Sequence, residues 1–247
     1  MSQRVLIVIP CYNEAKRLQV EAFRRFIESS SVEIVFVDDG SRDNTREVLE
    51  SLKASNPGRI TIVATPANHG KAEAVRYGIG IALKENPEFI GYWDADLATP
   101  LEVIVDFVKI LREKPGIDMI FGARVKLLGR SIERKAVRHY LGRTFATVVS
   151  VVLQLPIYDT QCGAKIFRVS DRTRTIFRDR FISRWVFDVE LIARYIQCVG
   201  SSEAAGARIY EYPLQTWVDI NGSKVRPKDF FIAFWDVGRI YRKYLMR

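Results

Sequence analysis

Short apolar runs alternate with amphipathic segments through the first half of the chain. The runs are rich in β-branched and aromatic residues and are apolar at successive positions, which is typical of parallel strands covered by helices on both faces. Strands are predicted at residues 4–10, 32–39, 59–65, 89–96 and 117–124. Helices are predicted between them, at residues 14–29, 42–54, 70–85 and 100–114. The alternation predicts an α/β fold with a Rossmann-like, mostly parallel open sheet flanked by helices.

The pattern changes after Arg124. A basic segment at residues 124–143 leads into a helical run that ends at Leu155, and a turn-rich stretch follows at residues 156–167. The remaining predicted elements are a helix at 185–197, a strand at 207–218, a polar loop at 219–227 and a basic, amphipathic terminal helix. We predict one continuous domain with two halves, an α/β half at residues 1–124 and a C-terminal extension of helices and short strands at residues 125–247.

Two aspartates, Asp94 and Asp96, stand one residue apart at the end of the fourth predicted strand. Residues two apart on an extended chain point to the same side, so these carboxylates can converge on one ligand. Two ionised carboxylates that close repel each other unless one takes up a proton or a cation lies between them. Mg²⁺ or Mn²⁺ would complete its shell with water and phosphate oxygens. The pair favours a metal–diphosphate site; a solvated strand end is the alternative.

A second acidic pair, Asp38 and Asp39, ends another predicted strand just before Gly40. Ligands of open α/β sheets bind at the carboxyl ends of the strands, so both acidic pairs and residues 10–14 should face one crevice. Ordinary turn chemistry is the other explanation of an Asp-Asp-Gly-Ser sequence. After the first pair, Thr99 and Glu102 stand at capping-box spacing, which predicts a helix immediately behind Asp96.

Composition and charge narrow the class of protein. With 48% apolar residues the chain can bury a core, and no apolar run approaches the length of about 18 residues that spanning a bilayer requires. The net charge of +9 predicts anionic partners. A nucleic-acid-binding module is disfavoured, because acidic strand ends would repel phosphates. The three cysteines, Cys11, Cys162 and Cys198, have no metal-site spacing and are predicted to be reduced thiols of a cytoplasmic protein.

Several motifs together resemble a known family. Residues 8–14, 33–45, 68–78 and 93–100 are similar to the nucleotide-sugar half of family 2 glycosyltransferases, which have the GT-A fold. In the second half, residues 159–167, 184–191 and 221–224 are similar to the dolichyl-phosphate β-glucosyltransferases, a group of polyprenyl-phosphate glycosyltransferases. The resemblance covers most of the chain and implies one GT-A domain, in which residues 1–124 bind the nucleotide sugar and residues 125–247 bind the acceptor.

The resemblance also implies a role for each matching residue on the donor side. It assigns Asp94 to the ribose and diphosphate, and Asp94 and Asp96 to a Mg²⁺ or Mn²⁺ ion. Ala98 stands where the related mannose synthases have a metal-binding glutamine, which agrees better with the glucosyl branch. The other residues implied to bind the nucleotide sugar are Pro10, Tyr12, Glu14, Asp39 and Lys71.

On the acceptor side, the resemblance assigns the lipid phosphate to Arg124, Arg138 and Lys224. The planar guanidinium group suits phosphate because it can bond two oxygens at once. A solvated basic surface is the alternative interpretation of this segment. Asp188 is the candidate general base if the acceptor is a sugar hydroxyl, and a hydrogen-bonded structural carboxylate is its other interpretation. The predicted catalytic set is therefore Asp94, Asp96, Arg124, Arg138 and Asp188.

The expected reaction is transfer of a hexose, with inversion, from a nucleotide sugar to a polyprenyl phosphate. UDP-glucose and a dolichyl-type phosphate are the donor and acceptor that the resemblance favours. GDP-mannose, another UDP-sugar or a saccharide acceptor are the alternatives. A lipid acceptor predicts peripheral contact with an anionic membrane surface on its cytosolic side, through the terminal helix and residues 145–155; core packing is the alternative for the latter segment.

Overall fold

The computed structural model describes the backbone of residues 3–126, 128–133, 136–218 and 227–246, and the side chains of these residues except 133, 136–140 and 227–230. A seven-stranded sheet runs through the described chain in the order β3-β2-β1-β4-β7-β5-β8. Its strands are β1 (Val5–Cys11), β2 (Glu33–Asp38), β3 (Ile60–Ala64), β4 (Phe89–Trp93), β5 (Met119–Ala123), β7 (Ala164–Arg168) and β8 (Ile209–Pro213). All neighbouring strands are parallel except β7, which is antiparallel to both β4 and β5.

Helices cover both faces of the sheet. One face packs against α1 (Val20–Ser29), α2 (Thr45–Ser55) and α4 (Val103–Glu113). The other face packs against α3 (Lys71–Ala82), α5 (Ala136–Leu153), α6 (Asp171–Arg178), α7 (Phe187–Val199), α8 (Ser202–Gly206) and α9 (Pro227–Ile240). Side chains of each strand alternate between these two cores, since successive residues of a strand point to opposite faces. The predicted fold class is confirmed.

Two further short strands lie outside the main sheet. β6 (Ser131–Glu133) pairs in parallel with β9 (Thr216–Val218). A 3₁₀ turn (Leu83–Glu85) extends α3, and a π-helical segment (Tyr241–Leu245) extends α9. Among the described residues, none of the helices combines the length and apolarity needed to cross a bilayer. Cys11 and Cys162 are buried free thiols and Cys198 is partly buried, as predicted.

Three local predictions differ from the structure. The turn-rich stretch at 156–167 contains most of β7, and the predicted strand at 207–218 divides into β8 and β9. The predicted capping box is wrong, because α4 begins only at Val103 and the Thr99 hydroxyl lies 3.9 Å from the Cys162 sulfur. Backbone hydrogen bonds between residues three apart, beginning with the Val103 amide and the Pro100 carbonyl, form a turn that leads into α4 instead.

Candidate active site

The carboxyl ends of β2, β1 and β4 lie side by side and carry the predicted site residues. Cys11, the last residue of β1, pairs with Asp38 at the end of β2, and the amide of Asp39 donates to the Cys11 carbonyl at 2.8 Å. Asp94 directly follows β4 on the other side of β1. The predicted convergence of both acidic pairs at one sheet edge is therefore observed.

Asp94 lies between a cation and a glycine. The Lys71 ammonium approaches Asp94 Oδ1 to 2.5 Å from the first turn of α3. On the other side, the amide of Asp94 donates to the Gly163 carbonyl at 3.1 Å. A Cβ atom on Gly163 would lie within 2.5 Å of all three atoms of the carboxylate group, so only glycine allows this approach. Burial opposes the charge of Lys71, and Asp94, Asp188 and Asp96 outweigh it, so the pKa of Lys71 is raised.

Asp96 carries a carboxylate that no described cation neutralises by an ion pair. Its Oδ1 atom accepts from the amide of Ala98 at 3.1 Å, and its carbonyl accepts from Gln19 at 3.2 Å. Burial and then the charge of Asp94 raise the pKa of Asp96, while the hydrogen bond from Ala98 and the charges of Lys71 and Arg17 act in the opposite direction. The carboxylate conflict predicted for the Asp-x-Asp sequence is thus present in the folded chain.

The two carboxylates fit a divalent cation that takes most of its ligands from elsewhere. Within the described ranges, no group of three or more histidine, cysteine, aspartate or glutamate side chains is placed to hold a metal ion. Mg²⁺ in nucleotide sites is commonly held by one or two carboxylates together with substrate phosphates and water. Asp96 and Asp94 match that donor set, and the charge of Asp94, after burial, is the second cause of the raised pKa of Asp96, a repulsion that a cation between them would relieve.

Asp39 is buried and holds the segment that leads into α3. Its carboxylate accepts from the Thr65 hydroxyl at 3.0 Å, the His69 amide at 3.0 Å and the Gly70 amide at 2.8 Å. Gly70 has a φ of +90°, a conformation that glycine adopts without strain, and the next residue is Lys71. Asp39 therefore fixes the position from which Lys71 reaches Asp94. Its contact with the nucleotide stays a prediction.

The β1 end supplies the predicted residues 10–14. Pro10 and Tyr12 are partly buried at the crevice edge, and Glu14 is buried. The Glu14 carboxylate pairs with the Arg17 guanidinium, with Nε at 2.9 Å from Oε2, and its amide donates to the Thr45 hydroxyl at 2.8 Å. These bonds tie the turn after β1, which contains Tyr12, to the N-terminus of α2.

Asp188 lies in a buried polar cluster that the sequence did not predict. Its Oδ1 atom accepts from the Lys165 ammonium at 2.6 Å and from the Tyr92 hydroxyl. Lys165 also donates to the carbonyls of Thr160 at 2.9 Å and Cys162 at 2.5 Å. A lysine within the apolar strand β7 is the one signal in the sequence for this cluster, because a buried ammonium requires partners.

Of the three residues predicted to bind the acceptor phosphate, the structure describes the side chain of Arg124. Arg124 forms a bidentate ion pair with Asp159, at 2.6 and 2.7 Å, beside the ring of Trp217. Burial opposes its charge and Asp159 outweighs it, so the pKa of Arg124 is raised. Arg138 lies in α5, but its side chain falls outside the described residues, as does all of Lys224.

Arg143 is a basic residue on α5 that the sequence reasoning missed. Its guanidinium carbon lies 3.7 Å from the ring centre of Tyr158, and Nη1 donates to the Tyr158 carbonyl at 3.1 Å. Tyr158 adjoins Asp159, the partner of Arg124, so the two arginines contact one loop from different elements. The spacing along the chain carried no signal for this arrangement, because it depends on how α5 packs against the loop.

Comparison with known proteins supports the same interpretation. The model of the family "Glycosyl transferase family 2" matches residues 6–173. The dolichyl-phosphate beta-glucosyltransferase of Homo sapiens is 30% identical over 92% of this chain and 71% of its own length. That of Dictyostelium discoideum is 31% identical over 97% of this chain and 74% of its own length. The dolichyl-phosphate beta-glucosyltransferase ALG5C of Trichomonas vaginalis is 31% identical, and the chain spans only 65% of its length.

Solved structures share the fold at low sequence identity. Glucosyl-3-phosphoglycerate synthase from Mycobacterium tuberculosis, in complex with Mn²⁺ and UDP-glucose, has a TM-score of 0.64 and 16% identity, covering 98% of this chain and 76% of its own. TarS from S. aureus, in complex with UDP-GlcNAc, has a TM-score of 0.61 and 16% identity, covering 100% of this chain and 68% of its own. The family model matches well over half of the residues, and the motif resemblance is confirmed: the chain belongs to glycosyl transferase family 2.

Proposed function

We propose that this protein transfers glucose from UDP-glucose to a polyprenyl phosphate of the dolichyl type, with inversion at the anomeric carbon. The observation that carries the proposal is the pairing of Lys71 and Asp94 beside Asp96, which no described cation pairs with, at the edge where open α/β sheets bind ligands. Relatives named for this reaction match most of the chain, and a structural neighbour of the same fold was crystallised with Mn²⁺ and UDP-glucose.

On the donor side, Lys71 is the residue placed to contact the diphosphate. Its ammonium lies at the start of α3, where free backbone amides also favour negative charge. Mg²⁺ or Mn²⁺ held by Asp96 and Asp94 would supply positive charge to the leaving diphosphate. Entry of the diphosphate would change the surroundings of Lys71, because the anionic ligand competes with Asp94 for the ammonium. Tyr12 offers the nucleotide base a flat face at the other end of the crevice.

On the acceptor side, the proposal uses the basic segment after β5. A phosphate monoester has a second pKa of about 6, so at neutral pH the acceptor is already an anionic nucleophile and needs no strong general base. Nε and Nη2 of Arg124 donate to Asp159, so a phosphate can use only the N–H groups of Arg124 that this ion pair does not occupy. Arg138 and Lys224 belong to the proposed acceptor set, and so does Arg143, because it contacts the same loop as Arg124.

A saccharide hydroxyl is the second candidate acceptor, and Asp188 favours it. A hydroxyl acceptor needs a general base, and the Asp188 Oδ2 atom accepts no hydrogen bond from the described residues. Transfer to free sugars in the absence of a lipid phosphate, abolished by Asp188→Asn, would establish this alternative. Transfer that requires polyprenyl phosphate would exclude it.

We propose in addition that α9 lies against the cytosolic face of an anionic membrane. Phe231 and Trp235 are 80% and 73% exposed on this helix, and Arg239 and Arg242 are exposed nearby. An apolar helix face with basic residues fits a lipid surface, and each nearby cation adds about 1 kcal/mol of attraction to anionic headgroups. Vesicles containing phosphatidylserine should retain the protein, and pure phosphatidylcholine vesicles should retain it less.

Two variants test that surface. Trp235→Ser should reduce retention, whereas Val105→Ser, at a 52% exposed position on the opposite face of the sheet, should not. Equal retention of both variants on anionic vesicles would contradict the assignment of α9. A dimer that buries Trp235 in solution, seen by light scattering, would identify a second copy as the partner instead.

The decisive experiment for the activity is a donor and acceptor screen. UDP-glucose, GDP-mannose and UDP-galactose are each incubated with Mn²⁺ and a short polyprenyl phosphate, and the glycolipid product is followed by chromatography. We expect turnover with UDP-glucose, loss of turnover in excess EDTA, and loss in Asp96→Asn. Asp179→Asn, at a 71% exposed carboxylate, is the matched control and should stay active. Turnover with another donor alone would refute the glucose assignment.

A further inference from the structure

Lys165 is a fully buried cation whose hydrogen-bonding capacity is complete. Its side chain is 1% exposed, and its ammonium has three protons for three acceptors, the carbonyls of Thr160 and Cys162 and Asp188 Oδ1. The rings of Tyr92 and Phe121 flank it at 5.5 and 5.2 Å. Lys165 therefore has neither the exposure nor a free proton with which to contact a substrate, and any influence on the reaction passes through its partners.

The two oxygens of Asp188 differ in their surroundings. Oδ1 accepts from both Lys165 and Tyr92, whereas Oδ2 accepts from none of the described residues. Among the described residues, Nε of Arg24 is the one side-chain nitrogen or oxygen that is both fully buried and without a hydrogen-bond partner. Oδ2 of Asp188 has no such partner either, so it cannot be fully buried and must retain some accessible surface. Both donors hold the same oxygen, and this fixes the rotation of the carboxylate and points the second oxygen away from the buried side.

The partners of Asp188 border the crevice that holds Asp94. Tyr92 stands two residues before Asp94 on the same strand end, and the loop held by Lys165 ends at Gly163, which contacts Asp94. The charge of Asp188 acts on Lys71, the cation paired with Asp94. Asp188 therefore lies next to a strand end and a loop that both border Asp94, and its charge acts on the cation that Asp94 pairs with.

We propose that Tyr92 and Lys165 are positioning residues that hold Asp188 so that Oδ2 accepts a hydrogen bond from a hydroxyl of the transferred sugar. The inference rests on the proposed function, since it assumes a nucleotide sugar in the crevice. An ionised carboxylate only accepts hydrogen bonds, and a diphosphate and an acceptor phosphate are anions that repel it. The hydroxyls of the sugar are the donors that such a substrate brings to this position.

The test compares two tyrosines that differ only in location. Tyr92→Phe removes one donor to Asp188, and Tyr195→Phe removes the same group from α7, where it bonds Asp118. Dissociation constants of UDP-glucose and UDP are measured by calorimetry with Mn²⁺. We expect Tyr92→Phe to raise the dissociation constant of UDP-glucose about fivefold relative to that of UDP. Tyr195→Phe should leave the ratio of the two dissociation constants unchanged. An equal ratio in both variants would overturn the proposal.

A double-variant cycle tests whether Tyr92 acts through Asp188. In an Asp188→Asn background, Tyr92→Phe should not reduce the affinity for UDP-glucose relative to UDP any further. A full fivefold reduction in that background would show that Tyr92 does not act by positioning Asp188. Lys165→Met should also reduce the affinity for UDP-glucose relative to UDP. Arg194→Met, which removes a buried cation from α7, should lower only the melting temperature. Wild-type protein that binds neither UDP nor UDP-glucose would instead refute the proposed function.

Discussion

Gly163→Ala should lower the rate of glycosyl transfer about a hundredfold while leaving the chain folded. Gly163 does not have a positive φ, so alanine fits the backbone without strain. Its methyl group, however, would lie within 2.5 Å of all three atoms of the Asp94 carboxylate group. The carboxylate must therefore leave the position in which it pairs with Lys71, and that pairing defines the donor side of the site.

The size of the effect follows from the distance. An ordinary van der Waals contact begins at 3.4 Å, and the nearest carboxylate oxygen would lie 1.9 Å from the new methyl group, so this oxygen must move by about 1.5 Å. A displacement of about 1 Å in a positioned group can cost about a hundredfold in rate. The folded chain loses less, because the short Asp94 side chain can rotate toward solvent; we expect about 1–2 kcal/mol of destabilisation, as for moderate overpacking.

Two measurements separate these effects. Product formation from UDP-glucose and polyprenyl phosphate gives kcat/KM with Mn²⁺ present, and thermal denaturation followed by circular dichroism gives Tm. Gly80→Ala in α3 is the control, since nothing lies within 4 Å of its added methyl group. That variant should keep full activity and gain about 0.5–1 kcal/mol of stability, because alanine is the better helix former.

One result would refute the reasoning about Asp94. If Gly163→Ala is folded and its kcat/KM lies within about threefold of wild type, a shift of this carboxylate does not matter for catalysis. The assignment of Asp94 to the donor site would then be wrong, whatever the activity of the Asp96 variants.

The remaining predictions concern charge and stability. Asp96→Asn should raise Tm in metal-free buffer at neutral pH by about 2 °C, because burial and Asp94 raise the pKa of Asp96 and the charged form destabilises the fold. This advantage should shrink as the pH falls through that pKa and the wild-type carboxylate is protonated, and Mn²⁺ should raise the Tm of the wild type alone. Asp159→Asn leaves the largely buried Arg124 side chain without its bidentate anion and should cost about 3 kcal/mol in denaturant unfolding. Asp39→Asn weakens three hydrogen bonds and should speed hydrogen exchange at the amide of Gly70.

The location of the candidate site was predictable because it depends on local patterns. Apolar runs marked five strands, and the acidic pairs stood at the ends of two of them. In a parallel sheet those ends share one edge, so proximity in space followed without any knowledge of packing. This is why Asp39 and Asp94 were placed correctly although 55 residues separate them.

β7 could not be predicted from its own residues. It is five residues long, has Lys165 at its second position and follows a turn-rich stretch, so its period-two signal is weak. It exists because β4 and β5 both offer it an edge, which is a property of the assembled sheet. Whether such a short segment forms a strand depends more on the neighbouring strands than on its own residues.

The partners of the polar site residues were unpredictable for the same reason. Arg124 and Asp159 are 35 residues apart, Lys165 and Asp188 are 23 apart, and Tyr92 and Asp188 are 96 apart. None of these separations has a periodicity that a helix or strand would impose. A sequence identifies an arginine suited to phosphate, but only the packed chain reveals that a carboxylate already holds it.

The antiparallel insertion of β7 constrains how the protein is made. A nascent chain that has left the ribosome up to residue 124 can pair β3, β2, β1 and β4, but β5 has no neighbour until β7 or β8 is synthesised. During that interval the outer edge of β4 stays open, and such edges recruit strands from other chains. Slow translation between residues 124 and 168 would prolong this exposure, so recoding that interval should alter the yield of folded protein without changing a single amino acid.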